Sequence, residues 1–523
     1  MKLHHAVFAA ALAAGLTAGL ATPAFSQQNT LVIAMTATPK GFDPDIWVPG
    51  QIESTVNVYE GLTRFGMGGG DGGRSLDFRK LEPHFAEKWT VSPDGKTYTF
   101  KLRKGVKSPF GNELSAADVV WTYEKSVWQK RTGLFMKNVD RVEKVEAVSK
   151  DEVRITLSEP NRIFLSSLTL HIPTLFDSTE AKKHATADDP YATKWLAANT
   201  AGYGPYHVQS VQAGQQAVFV VNPNYVFDKP FYSRVIWREV PSAATRVALV
   251  RTGQVQYAEQ IPLQQIKELK ADKTVKVESI AAPGAATVRM NPKFPPFDKQ
   301  KVRQAVAYAT DYKAIGEAVF LGLGTRARSM LNPPIPGAIE AYHYETDYAK
   351  AKQLLAEAGL PNGFETTLEY STNWWWEEPL ALQMQASLAK AGIKVTPKRI
   401  SSTEMNARRA INSWSIPFLT HLTSGFVPDP SYTMFLTAHC KGGSNVNANC
   451  DPKLDKLIDE SVGERDDAKW LKIVADAQKE QADYATFVET FLPGTHEVFA
   501  ACMQGYLWRP HNRLMWKELV CRK

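Results

Sequence analysis

Residues 364–400 read FETTLEYSTNWWWEEPLALQMQASLAKAGIKVTPKRI. FETTLEYS is a strand, PLALQMQASLAKAG a helix and IKVTPKRI a second strand, so the stretch is a β-loop-α-β unit. The loop between strand and helix holds Trp374, Trp375 and Trp376, followed by Glu377 and Glu378. Neither a helix nor a strand can turn three adjacent indoles onto one buried face. In an open α/β sheet the loops after the strands face the ligand crevice. Indoles offer large, rigid surfaces with an N–H to orient a partner. At least one of the three is expected to pack the lobe and another to line a ligand cleft.

Working outward, VRQAVAYATDYKAIGEAVF and DYAKAKQLLAEAG read as helices, the latter stopped by Gly359. This α/β texture begins near Ala282. The chain before it is mainly β. TLVIAM is a strand that runs into a polar loop. In residues 88–107, KWTVSPDGKTYTFKLRKGVK, Asp94-Gly95 signals a hairpin turn, and Tyr98, Phe100 and Leu102 alternate with polar neighbours as in a half-buried strand. LSAADVVWTYEKSVW is a helix opened by a Ser115/Asp118 capping box, with Val119, Val120, Tyr123 and Val127 as its apolar stripe. VEKVEAV and EVRITL form a second hairpin, and GYGPYHVQSVQAGQQAVFVVNPNYV a third. SAATRVALVRTGQVQYAE is a helix ended by Gly253. EVFAACMQGYLW reads as a strand that returns to the first lobe. GMGGGDGGRS formally contains G-x-G-x-x-G at Gly68, Gly70 and Gly73. No helix follows it to present N–H groups to a phosphate, so it is a loop.

The chain has 523 residues, 44% apolar and 22% charged, enough for two or more compact lobes. Its net charge of +7 is spread along the chain, and no basic run alternates with aromatics, which argues against nucleic acid. The amino-terminal 28 residues, MKLHHAVFAAALAAGLTAGLATPAFSQQ, place Lys2 before an apolar stretch broken by Pro23, then Ala24-Phe25-Ser26. This reads as a secretory signal over residues 1–26, with the mature chain starting at Gln27. No cysteine follows the cut, so no lipid anchor is expected. Four cysteines suit an oxidising compartment. Pairing of neighbours, Cys440 with Cys450 and Cys502 with Cys521, is expected because each pair closes a short polar or terminal segment. No Cys-x-x-Cys or Cys/His cluster suggests a metal site instead.

Catalytic signatures are sparse. Ser387 and Lys390 spell S-x-x-K on one helix face, without the partner motifs of serine acyl-enzymes. The adjacent carboxylates Glu377-Glu378, Asp188-Asp189 and Asp466-Asp467 read as solvated faces rather than acid/base pairs. No G-x-S-x-G, H-E-x-x-H or P-loop is present. A long exported chain with cleft-like architecture and no catalytic signature points to binding, with no catalytic residue, cofactor or metal.

Several stretches together resemble the family 5 extracellular solute-binding proteins, the peptide- and nickel-type binding proteins of ABC importers. They are FAEKWTVSPDGKTYTFKLRKGVK…LSAADVVWTYEK, GYGPYHVQSVQAGQQAVFVVNPNYV, PSAATRVALVRTGQVQYA, PPFDKQKVRQAVAYATDYKAI, YAKAKQLLAEAGLPNGF and PKLDKLIDES, in the family's order. The resemblance implies an α/β, two-lobed periplasmic binding protein with a hinge and a ligand cleft between the lobes. Lobe I would comprise residues 27–282 and 492–523, with an extra subdomain over about 64–198, and lobe II residues 283–491. HCKGGSNVNANC also resembles a disulfide-closed loop of dipeptide-binding members. The implied function is capture of a peptide or peptide-like solute by hinged closure and delivery to ABC permease transmembrane subunits, by a monomer in the periplasm. The alternative is the same role for a sugar, an opine-like conjugate or a metal chelate. Peptide-binding members hold the peptide ammonium with an aspartate about four residues before a (D/E)P step. In SGFVPDP, residues 424–430, that position is Phe426, while Asp429 keeps the acidic residue beside the proline. The expected ligand wall is Trp374, Trp375, Trp376, Phe426 and Asp429 in one lobe, facing Thr36, Thr38 and Trp47 in the other.

Overall fold

The computed structural model describes residues 29–46, 51–68, 75–130, 139–169, 174–371, 373–408, 415–423, 427–509 and 514–522. The expected signal segment, Trp47, most of the glycine loop and Phe426 lie outside these residues.

The first sheet orders seven strands as Val275–Ile280, Thr495–Ala500, Tyr257–Ala258, Thr30–Met35, Arg234–Glu239, Gln216–Val221 and Tyr206–Gln212. Thr30–Met35 runs parallel to both Arg234–Glu239 and Tyr257–Ala258. Thr495–Ala500, from the far end of the chain, inserts antiparallel between Tyr257–Ala258 and Val275–Ile280. Leu31, Ile33, Phe219, Trp237 and Trp516 are buried in its core.

The second sheet orders six strands as Thr325–Arg326, Phe487–Leu492, Ala285–Met290, Phe418–Thr423, Phe364–Tyr370 and Ile393–Arg399. Phe364–Tyr370 is parallel to Ile393–Arg399 over its full length, and the helix Glu377–Ala389 links them, which is the β-loop-α-β unit expected from sequence. Ala285–Met290 is buried at every position, as befits a central strand covered on both faces. The expected helix over VRQAVAYATDYKAIGEAVF is broken. Gln300–Tyr308 is helical, and then Asp311 caps a new turn by accepting the Ala314 N–H at 3.0 Å. A short aspartate that bonds its own following backbone favours a fresh cap over continued helix.

A four-stranded antiparallel sheet, in the order Ala86–Val91, Thr97–Leu102, Glu152–Leu157 and Val142–Ser149, forms a separate core around Phe100, Leu102, Val153 and Phe164. It is tied to the first lobe by the Asn222 side chain, whose Nδ2 donates to the Lys107 carbonyl at 3.0 Å, and by Asn224 Nδ2 donating to the Ser108 carbonyl at 2.9 Å. Gly95 takes φ +74° in the expected hairpin turn. The helix Ala116–Trp128 starts where the capping box predicts, with the Ser115 N–H and Oγ both 2.8 Å from Asp118 Oδ2. Its buried face differs from the expected stripe. Val127 is 46% exposed, whereas Lys125 is fully buried. The reason is electrostatic: the Lys125 ammonium reaches Asp43 at 2.7 Å and Asp45 at 2.6 Å, so a charge is buried only with its partners.

Both expected disulfides are present, Cys440–Cys450 and Cys502–Cys521. The first closes a loop whose Asn447 Nδ2 donates to the Met290 carbonyl at 2.9 Å, anchoring it on the second sheet.

Candidate functional site

Strand direction points to a candidate site. In the first sheet Met35 pairs with Glu239 and Ala34 with Ala258, so three parallel strands end together. Ile280 pairs with Thr495 at that same end of the sheet. In the second sheet Ala285 pairs with Thr423 and Thr325 with Leu492, where Phe418–Thr423 and Phe487–Leu492 finish. The chain passes from one sheet to the other between Ile280 and Ala285, and back between Leu492 and Thr495. Both passages therefore join the carboxyl ends of the parallel strands, where α/β sheets gather ligand contacts.

The tryptophan loop leaves the second sheet at this end. Its indoles diverge, as adjacent residues must. Trp374 is 46% and Trp375 52% exposed, while Trp376 is 1% exposed. Trp376 packs in the lobe core with residues such as Leu380, Ala381 and Met384. The expectation that Trp376 forms ligand wall is therefore corrected: it faces away from solvent and supports the lobe. Trp375 meets Phe320 edge-on at 5.7 Å, and Phe320 stacks on Phe491 at 5.4 Å, one residue before the strand end at Leu492. This chain of rings fixes Trp375 beside a chain passage.

Glu377 holds the loop in place. It is buried at 3% exposure, not on a solvated face as its pairing with Glu378 suggested. Its carboxylate accepts the Ser371 N–H and Oγ, both at 2.9 Å, and Thr420 Oγ1 at 2.7 Å from the neighbouring strand. The Trp374 N–H adds a longer bond at 3.3 Å. One carboxylate thus joins strand end, loop, helix start and adjacent strand. The signal for it in the sequence was its place in the first turn of a helix, where a negative charge is favoured.

At the end of the first sheet, the Thr36 N–H and Oγ1 both donate to Glu259 at 2.8 Å. Thr38 donates to Glu239 in the same way, at 2.7 and 2.9 Å. Both threonines that were expected to face ligand spend these donors on carboxylates that sequence reasoning missed. Burial holds the Glu259 carboxyl above its ordinary value, against the pull of the Thr36 donors. Asp429 caps the helix Pro430–Ala438, accepting the Tyr432 N–H at 3.1 Å, and burial raises its carboxyl despite that bond. The S-x-x-K pair is occupied elsewhere. Ser387 Oγ donates to the Ala309 carbonyl at 2.5 Å, and Lys390 pairs with Asp311 at 3.2 Å.

Residues 80–445 match the family described as bacterial extracellular solute-binding proteins, family 5 (middle). The chain belongs to this family. It is 30% identical over 533 aligned positions to heme-binding protein A of Haemophilus influenzae, covering 93% of this chain and 91% of that one. It is 28% identical over 489 positions to the dipeptide-binding protein of Escherichia coli, covering 88% of each. NikA from Brucella suis in complex with Fe(III)-EDTA shares the fold, with a TM-score of 0.82 at 21% identity over 94% of this chain and 100% of that one. The protein is thus a solute-binding protein with the two-lobed α/β fold of periplasmic binding proteins.

Proposed function

We propose that the protein captures a peptide or peptide-like solute between its lobes and hands it to the transmembrane subunits of an ABC importer. In this reading lobe I is residues 27–282 with 492–523, lobe II is residues 283–491, and the hinge is the pair of passages between the sheets. The protein works as an exported, unanchored monomer of the periplasm, starts at Gln27, and does no chemistry on its ligand. The observation that supports this most is the pair of half-exposed indoles, Trp374 and Trp375, on a rigid loop at the carboxyl strand ends beside a chain passage. A ligand that touches both lobes favours the closed form by its differential affinity.

The peptide class is supported by the dipeptide-binding relative. Glu377 is committed to its own loop and Asp429 to a helix cap, so neither is a free counter-charge for a ligand ammonium. Recognition should rest on indole contact and backbone bonds more than on the free amine. A second reading, a planar metal chelate such as haem, is favoured by the same flat indoles and by the heme-binding relative. Calorimetry with Ala-Phe, N-acetyl-Ala-Phe and haemin tests both. We expect saturable binding of Ala-Phe, with less than about tenfold loss on acetylation, since no charged bond is forfeited. Haemin binding without any dipeptide binding would overturn the peptide reading.

A further inference from the structure

The antiparallel subdomain touches the second lobe through residues that belong to neither chain passage. Arg162 follows the strand Glu152–Leu157. Its backbone N–H donates to the Val462 carbonyl at 3.1 Å, and its Nη2 pairs with Asp467 at 2.7 Å. The same guanidinium lies 4.0 Å from the centre of the Trp470 ring. That ring is 6% exposed and is fixed from within its own lobe, where Trp470 Nε1 donates to Ser431 Oγ at 2.9 Å. A second arginine reaches the opposite way: Arg465 Nη1 donates to the Pro93 carbonyl at 2.8 Å, in the hairpin turn of the subdomain. Val139 and Ile163 of the subdomain also share an apolar cluster with Val427, Tyr432, Leu436 and Val462 of the second lobe. Asn161 stiffens the subdomain side, donating to the Val139 carbonyl at 2.7 Å and accepting the Ile163 N–H at 2.9 Å.

The second-lobe side of this seam is equally well founded. Trp470 shares a core with Met330, Leu331, Met434 and Leu454, and the helix Asp467–Tyr484 runs directly into the strand Phe487–Leu492 of the second sheet. The seam therefore joins two bodies that are each rigid by their own packing. It carries reciprocal arginine contacts, a stacked ring and an apolar plug. None of these residues adjoins the tryptophan loop in sequence or bonds to it among the described residues.

We propose that this seam is a clasp: lobe closure docks the subdomain onto the second lobe, and Arg162 and Arg465 set the closed-to-open ratio without touching ligand. The inference rests on the reading of hinged capture. Apparent affinity scales with the fraction of protein in the binding-competent state, so the clasp tunes affinity from a distance. Its loss should weaken binding of every ligand by one common factor, unlike a change in the ligand wall.

The test places spin labels at Lys150→Cys in the subdomain and Lys456→Cys in the second lobe, both 77% exposed at the side chain. The four native cysteines are disulfide-bonded and leave the labels unambiguous. Pulsed electron paramagnetic resonance on the full chain then reads the ratio of short to long distances, without ligand and with Ala-Phe. The unsubstituted clasp should show the short distance, and Arg162→Ala with Arg465→Ala should lower the closed-to-open ratio about tenfold, the scale of a cation–π contact joined to ion pairing. Asp467→Asn, at a side chain 81% exposed, should lower it less, about twofold, and guards against misfolding of the double variant. A ratio unchanged in both variants, or no short distance in the parent, overturns the clasp. Failure of Ala-Phe to bind while the ratio still falls would leave the clasp standing and sink the peptide reading. Binding of Ala-Phe with an unchanged ratio would sink the clasp alone.

Discussion

Glu489 lies on the strand Phe487–Leu492 at 2% exposure, and neither carboxyl oxygen has a hydrogen-bond partner among the described residues. Burial pushes its carboxyl up to about 8, with Arg289 and Arg326 pulling the other way. The unfolded chain would titrate this group near its ordinary value of 4.5. Folding at neutral pH therefore takes up a proton. The linked stability is fully present below about 4.5 and is lost as pH rises through about 8. Within that window the loss approaches about 1.4 kcal/mol per pH unit. Glu489→Gln keeps the size of the side chain and removes the ionisation. Its melting temperature should exceed that of the parent at pH 8 and nearly match it at pH 5. Equal shifts at both values would show that Glu489 is not the titrating group.

In the proposed reading the tryptophan loop is the element on which specificity turns. Trp374→Ala or Trp375→Ala should each leave the melting temperature within a few degrees. At least one of them should cost about 2 kcal/mol of Ala-Phe affinity, the size of an aromatic hot spot. Trp376→Ala should do the reverse first: its indole fills the lobe core, and truncation should cost about 3–5 kcal/mol of stability. Melting curves beside calorimetry separate the two effects. Normal binding in both exposed-indole variants would remove the loop from the ligand wall. The sequence indicated that such a loop exists and that its indoles split between core and surface, because adjacent side chains diverge. It did not indicate which indole faces inward, since that depends on the path of Phe364–Tyr370 into the helix. It also misread Glu377 as solvated, because the four donors that meet its carboxylate include Thr420, 43 residues away in the chain. The helix Ala116–Trp128 failed for the same reason. Period and capping were legible, but the buried Lys125 depends on Asp43 and Asp45, about 80 residues earlier.

At the scale of the whole molecule, the alternation of strands and helices beyond Ala282 and the return of the last strand were both readable from local pattern. The pairing partner of that last strand was not, because Thr495–Ala500 inserts beside strands more than 200 residues away in sequence. The backbone crosses between the two sheets by two short passages at the carboxyl ends of their parallel strands, which in the proposed reading makes a clamp whose opening needs few backbone changes. Each sheet keeps its own apolar core, so closure moves bodies rather than remakes them. Small-angle X-ray scattering on the full chain, with and without saturating Ala-Phe, tests this account most directly. The account predicts that the dipeptide lowers the radius of gyration to the value calculated from the structure. A radius of gyration that stays the same at saturation would contradict it.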